Sequence, residues 1–203
     1  MDLEDIVGAI KTAPAKGQRR LVGLVGAPAS GKTTLAHQIA EMDSGICVVP
    51  MDGFHLDNPI LTKRGLLHRK GAPQTFDVDG FVHLLSRLAA GENAIYPLFD
   101  RKTDRSIAGA GEIDDSCDTI LVEGNYLLLN APGWSDLKEL WDLTIKLDVP
   151  RSELRDRLLE RWRQYGFSPE EAARKADEND LPNADLINEQ SAQADIAVAD
   201  LEL

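Results

Sequence analysis

The segment from Gly26 to Thr33 has the residue types and the spacing of a loop that binds phosphate. Its sequence, GAPASGKT, fits the Walker A pattern at every fixed position. Gly26 and Gly31 allow close backbone approach, so that successive N–H groups can point at phosphate oxygens. Lys32 supplies a charge for the β- and γ-phosphates, and the hydroxyl of Thr33 suits magnesium. The alternative is a glycine-rich turn that only connects two elements. The predicted contacts to ATP are Gly26, Ala27, Ala29, Ser30, Gly31, Lys32, Thr33 and Thr34.

Two acids follow apolar segments that have the pattern of buried strands. Asp52 comes after the run 46–49, where it could accept a proton from an attacking hydroxyl. Glu123 comes after the run 119–122, where a Walker B acid would hold magnesium directly or through water. The alternatives are a turn aspartate for Asp52 and a strand-terminal surface acid for Glu123. His55, close to Asp52, is interpreted either as a substrate contact or as a structural histidine.

An arginine-rich segment follows the fourth apolar run. Five arginines lie between positions 151 and 163, against three acids. Arg157 and Arg161 are four residues apart on one helical face, an arrangement that destabilises a helix unless an anion bridges the two charges. We therefore predict that Arg157 and Arg161 act on the transferring phosphate and that Arg155 contacts the nucleotide. The alternative is a solvated amphipathic helix in which Glu153 and Glu160 form the salt bridges.

The segment 96–105, YPLFDRKTDR, alternates acids and bases after an aromatic start. By itself this pattern is also typical of a polar surface hairpin. Its acids and bases would suit the hydroxyls of a polyol, which need both donors and acceptors.

The apolar runs predict an α/β fold with a mainly parallel sheet. Runs of this kind suit a sheet that is covered on both faces. The expected strands are 21–25, 46–49, 119–122, 143–147 and 196–198; the expected helices are 33–42, one starting after Asp79 and one capped by Ser168. The segments 52–73 and 97–115 lack clean periodicity and are expected to be functional loops. We expect a single domain over 1–203, with the three-layer P-loop NTPase fold and a small helical lid at about 151–167.

Composition disfavours several classes of partner. The formal net charge of −12 disfavours nucleic acid and anionic lipid. The acidic N-terminus and the absence of a long apolar run predict a cytoplasmic protein without a membrane segment.

Cys47 and Cys117 are expected to be small buried residues with free thiols in a reducing compartment. The oligomeric state, a homodimer included, stays open.

Several motifs in order resemble the phosphoribulokinase, uridine kinase and pantothenate kinase family of P-loop kinases. The motifs are GAPASGKTT, MDGFH, KGAPQTFD, YPLFDRKTD and LVEGNYLLL, followed by the arginine-rich segment. The resemblance implies ATP and Mg²⁺ as cofactors, Asp52 as the catalytic base, Glu123 as the metal-side acid and a mobile arginine lid. It also implies substrate contacts at His55, Phe76, Asp77, Phe99, Asp100, Arg101 and Asp104.

Within this family the chain is most similar to the kinases found beside fructose transport systems, often called fructokinases. Arg101 falls where uridine kinases have an aromatic residue, and Asp104 falls near their histidine. We therefore expect a sugar acceptor such as fructose, with a nucleoside or pantothenate as alternatives. An ATPase or a nucleotide-sensing module without an acceptor is the rival class; a GTPase switch would need an NKxD motif, which the sequence lacks.

Overall fold

A computed structural model describes residues 1–199, which form one parallel sheet, one separate hairpin and seven α-helices. The strands are β1 (Arg20–Gly26), β2 (Ile46–Pro50), β3 (Ala94–Asp100), β4 (Arg105–Ile113), β5 (Thr119–Gly124), β6 (Leu143–Leu147) and β7 (Ile196–Val198). The helices are α1 (Leu3–Thr12), α2 (Lys32–Met42), α3 (Asn58–Lys63), α4 (Val78–Ala89), α5 (Arg151–Gln164), α6 (Pro169–Lys175) and α7 (Leu181–Gln190). A π-helical turn, Ala176–Asp180, joins α6 to α7.

The parallel sheet is covered on both faces, which confirms the predicted α/β class. Its strand order is β2-β5-β1-β6-β7, and every pair is parallel. Alternate residues of β1 face opposite layers because side chains alternate along a strand. Val22 and Leu24 pack with residues of α1 and α2, whereas Leu21 and Val25 pack with α4 and with the segment 126–141.

The strand register brings the chemically important ends together. Pro50 at the end of β2 lies opposite Glu123 in β5, and Val25 in β1 lies opposite Gly124. Because the strands are parallel, the loops that follow β1, β2 and β5 leave the sheet at one edge. Ligands of open α/β sheets bind at this edge.

Two expectations about local structure were wrong. The segment 97–115 is largely regular, since β3 and β4 form an antiparallel hairpin in which Asp100 lies opposite Arg105. Its second strand was missed because glycine and alanine alternate there and most of the strand is exposed, which hides the period of two. Helix α4 begins at Val78, because Asp77 rather than Asp79 is the cap and accepts from the N–H of Gly80. The capping box at Ser168 is confirmed.

The cysteines also differ from expectation. Cys47 in β2 and Cys117, just before β5, form a disulfide with a Cα–Cα distance of 5.8 Å. The two residues are 70 positions apart, so their spacing in the sequence gave no sign of the pairing. The expectation of free thiols is therefore wrong. Within residues 1–199, no helix has the length and apolar character that crossing a membrane requires.

Candidate active site

The loop between β1 and α2 has the shape of an anion cradle. Ala29 and Gly31 have positive φ values of 64° and 94°, which turn the backbone around the loop. A Cβ at Gly26 would collide with the side chain of Ser30, so only glycine fits there. The hydroxyl of Ser30 is buried and has no hydrogen-bond partner among the described residues. A polar ligand in the loop would supply one.

The start of α2 leaves donors for phosphate. The first bond of the helix runs from the N–H of Leu35 to the carbonyl of Gly31, at 3.0 Å. The N–H groups of Lys32, Thr33 and Thr34 therefore have no partner within the helix. Gly31 is the cap residue and offers no side chain to them. These orphan donors at the positive end of a helix fit the phosphates of a nucleotide.

Lys32 carries the positive charge of the loop. Within the described chain, its ammonium contacts only the carbonyl of Ala27, at 3.5 Å, and no carboxylate lies within salt-bridge distance. Burial lowers the pKa of Lys32, and the nearby charge of Arg161 lowers it further. A phosphate anion would compensate this desolvated charge.

Thr33 and Glu123 meet as a metal-binding pair would. The Thr33 hydroxyl donates to Oε1 of Glu123 at 3.1 Å, and Glu123 is only 4% exposed. Burial raises the pKa of Glu123, although the nearby Lys32 opposes this. A buried carboxylate beside a hydroxyl provides two oxygen ligands of the kind that Mg²⁺ prefers. The residues present therefore fit the predicted ion.

Asp52 lies in the 3₁₀ turn Met51–Phe54 that follows β2, and it pairs with Arg101 from the turn of the hairpin. The guanidinium of Arg101 donates to Oδ2 of Asp52 at 2.8 Å. Burial by itself would raise the pKa of Asp52, but its interactions with His55 and with the guanidinium of Arg101 outweigh burial and lower the pKa. Asp52 is consequently an ionised hydrogen-bond acceptor.

His55 is held in one orientation between two aromatic rings. Its ring centroid lies 4.1 Å from that of Phe76 and 4.6 Å from that of Phe99. Nδ1 lies 2.8 Å from the carbonyl oxygen of Asp52, so this nitrogen must carry the proton. Burial lowers the pKa of His55, which favours the neutral ring. The other nitrogen, Nε2, is then a hydrogen-bond acceptor.

Three of the predicted substrate-binding acids form hydrogen bonds or ion pairs within the protein. Asp77 caps α4, and Asp100 accepts from the backbone of Lys102 and from the hydroxyl of Thr103. Asp104 forms an ion pair with Lys70 at 3.0 Å. The structure thus gives these carboxylates structural partners and brings only Arg101 of the hairpin turn to Asp52.

The arginines of α5 differ in what they contact. Arg157 donates to the carbonyls of Ala29 and Ser30 in the phosphate loop, at 3.4 and 3.2 Å. Arg161 lies over the rings of Trp162 and Tyr165. Its charge is close enough to Lys32 and Asp52 to affect the pKa of both.

The contacts of Arg155 in the structure are not the predicted ones, which were to the nucleotide. Arg155 forms a two-bond ion pair with Asp177, at 2.8 and 2.9 Å, which ties it to the π-helical turn instead of the phosphate loop.

Sequence reasoning missed Lys70, which joins the loop after α3 to the hairpin. Its ammonium contacts Oδ1 of Asn58 and both the carbonyl and a carboxylate oxygen of Asp104. It also lies 5.2 Å from the ring centroid of Phe99. Lys70 is the first residue of the KGAPQTFD motif, which was the only available signal.

Comparison with known proteins finds relatives that are named as kinases. The chain is 35% identical to a protein of Schizosaccharomyces pombe provisionally named a uridine kinase, over 92% of this chain and 85% of the relative. It is 27% identical to a pantothenate kinase of Chelativorans, over 70% of this chain and 49% of the relative. No family model matches the sequence.

A solved structure is more similar still. This protein, from Silicibacter, has the provisional description of a fructose transport system kinase. The two chains are 46% identical, the TM-score is 0.93, and the alignment covers 98% of this chain and 99% of the other. The chain therefore belongs to the P-loop kinase family that includes uridine kinases and pantothenate kinases. It is a kinase, and small-molecule acceptors are typical of these relatives.

Proposed function

We propose that the chain transfers the γ-phosphate of ATP to a hydroxyl of a small polyol. The observation that carries this proposal is the meeting of the phosphate loop, the Thr33–Glu123 pair and the Asp52 turn at one edge of the sheet. The orphan N–H groups of the loop and Lys32 would bind the β- and γ-phosphates. Thr33 and Glu123 would hold Mg²⁺, which neutralises phosphate charge when bound.

Asp52 orients the acceptor in this proposal. Its carboxylate accepts the proton of the acceptor hydroxyl as the new bond to the γ-phosphorus forms and the bond to the β,γ-bridging oxygen breaks. ADP leaves with that oxygen, and Asp52 later returns the proton to solvent. Arg157 and Arg161 stabilise the charge on the transferred group, with residues 151–167 acting as a lid that excludes water.

The packing around the aromatic residues favours a polyol over a nucleobase. A base needs ring faces on which to stack. Phe76 and Phe99 instead pack against the ring of His55, and the ring of Phe99 also contacts the ammonium of Lys70. Nε2 of His55 and the donors of Arg101 are suited to hydroxyls, which require both kinds of partner. A uridine-type acceptor is the second candidate, because of the similarity to the S. pombe protein.

A coupled ADP-release assay tests the proposal. The acceptors are fructose, other hexoses, ribose and their phosphates and acids, with uridine, cytidine and pantothenate as competitors. We expect ADP release that depends on a polyol. Hydrolysis that is the same with and without every acceptor would indicate an ATPase. A kcat/KM for uridine or pantothenate a hundredfold above that of every polyol would contradict the polyol assignment.

A further inference from the structure

Two segments near Asp52 carry a net positive charge, although the chain as a whole is negative. Segments 52–71 and 96–105 together carry seven lysines and arginines against four aspartates, in a protein with a net charge of −12. Such a local excess raises the local concentration of anions. A neutral sugar gives no reason for it.

Three of these seven positive groups already have hydrogen-bond or ion-pair partners within the protein. Lys70 uses its three donors on Asn58 and Asp104, and its side chain is only 12% exposed. Arg105 places two nitrogens on the carboxylate of Asp57, at 3.3 and 3.4 Å. Arg69 donates to the carbonyl of Glu178 and to the side chain of Asn183.

Arg101 is different, because most of its donors remain available. A guanidinium has five N–H donors. Within the described chain, Arg101 makes a single hydrogen bond, from one terminal nitrogen to Oδ2 of Asp52, and its side chain is 43% exposed. That one bond holds one terminal nitrogen beside Asp52 and leaves the other donors free for a second, bidentate contact.

The unused N–H donors of Arg101 lie beside the proposed catalytic base, Asp52. Only Oδ2 of Asp52 is taken by Arg101, so Oδ1 can accept the hydroxyl of an acceptor. A substituent next to that hydroxyl would then lie beside the guanidinium. Planar donors of this kind match the oxygens of phosphate and carboxylate groups.

We infer that the acceptor carries an anionic group, a phosphate or a carboxylate, and that Arg101, oriented by Asp52, is the residue that selects it. This inference rests on the proposed function and names the substrate class of the same site. Arg101 is thus a specificity-determining residue on the acceptor side, whereas Arg157 serves the phosphate loop.

The kinetic test compares Arg101→Gln with Lys102→Gln, which removes the same charge from the neighbouring exposed residue. Fructose, ribose and glucose are assayed beside fructose 1- and 6-phosphate, ribose 5-phosphate and gluconate, so that the phosphates and the acid are distinguished. We expect an anionic acceptor to exceed its neutral parent in kcat/KM by about tenfold or more, and Arg101→Gln alone to raise its KM by a similar factor. A neutral sugar as the best acceptor would overturn the inference. So would an equal loss in Arg101→Gln on charged and neutral acceptors, which would assign Arg101 to the transferred phosphate.

The binding of inorganic phosphate tests the inference independently of turnover. A non-hydrolysable ATP analogue with Mg²⁺ first fills the phosphate loop, and inorganic phosphate is then titrated while the melting temperature is followed. Phosphate should raise the melting temperature of the wild type and of Lys102→Gln but not that of Arg101→Gln. An equal rise in all three proteins, or none in the wild type, would show the inference to be wrong. Acceptor-independent ATP hydrolysis in the kinetic assay would instead refute the proposed function.

Discussion

Gly53 offers the sharpest test of how the hairpin is positioned over Asp52. An added Cβ at Gly53 would lie 2.8 Å from the carbonyl carbon of Pro97 in β3, and closer still to its oxygen. Ordinary van der Waals contact begins at about 3.4 Å, so Gly53→Ala must move the hairpin away from the Asp52 turn by about 1 Å. Because catalysis depends on orientation at this scale, we expect a loss of kcat/KM for the acceptor on the order of a hundredfold.

The assay for Gly53→Ala separates positioning from folding. Steady-state kinetics are measured for the acceptor, and affinity for the ATP analogue is measured separately, since the phosphate loop should be unaffected. Gly8→Ala is the matched control: Gly8 is exposed in α1 and has nothing within 4 Å of an added Cβ. It should leave kinetics unchanged and gain up to about 1 kcal/mol of helix stability. Wild-type acceptor kinetics in a folded Gly53→Ala protein would refute the reasoning.

Three further predictions address the site and the core. Lys32→Ala should abolish turnover and weaken ATP binding, because its ammonium is the proposed partner of the β- and γ-phosphates; unchanged turnover in the ADP-release assay would contradict the role of the loop. Asp52→Asn should lower kcat by on the order of a hundredfold while nucleotide affinity, measured by titration, stays near wild type; an equal loss of ATP binding would make Asp52 a metal ligand instead. Reduction of the Cys47–Cys117 disulfide should lower the free energy of unfolding by up to about 4 kcal/mol, since it closes a loop of 70 residues. Urea denaturation with and without reductant measures this, and Cys47→Ser/Cys117→Ser should not respond to the reductant. Identical urea midpoints for the oxidised and reduced wild type would count against a stabilising disulfide.

The parts of the fold that local pattern determines were predictable. The buried strands around the phosphate loop are continuous apolar runs, and the capping box of α6 lies within four residues. Hairpin strand β4 was not predictable by the same means, because its glycines and alanines carry no hydrophobic period.

The partners of the charged site residues depend on contacts between distant parts of the chain. Lys70 and Asp104 are 34 positions apart, and Arg155 and Asp177 are 22 apart. The local sequence does not distinguish a carboxylate that is paired within the fold from one that is available to a ligand. The structural partners of Asp104 and Arg155 therefore could not be predicted from the sequence.

The hairpin of β3 and β4 is a sheet of its own, outside the parallel sheet that carries the phosphate loop. Its strands pack into the main core through Ala94, Tyr96 and Ile113, whereas its turn, residues 101–104, is exposed. Evolution can therefore rewrite the hairpin turn without disturbing the strands beneath the nucleotide. Such an exchangeable module would let one inherited phosphate-transfer core serve relatives named for acceptors as different as uridine and pantothenate.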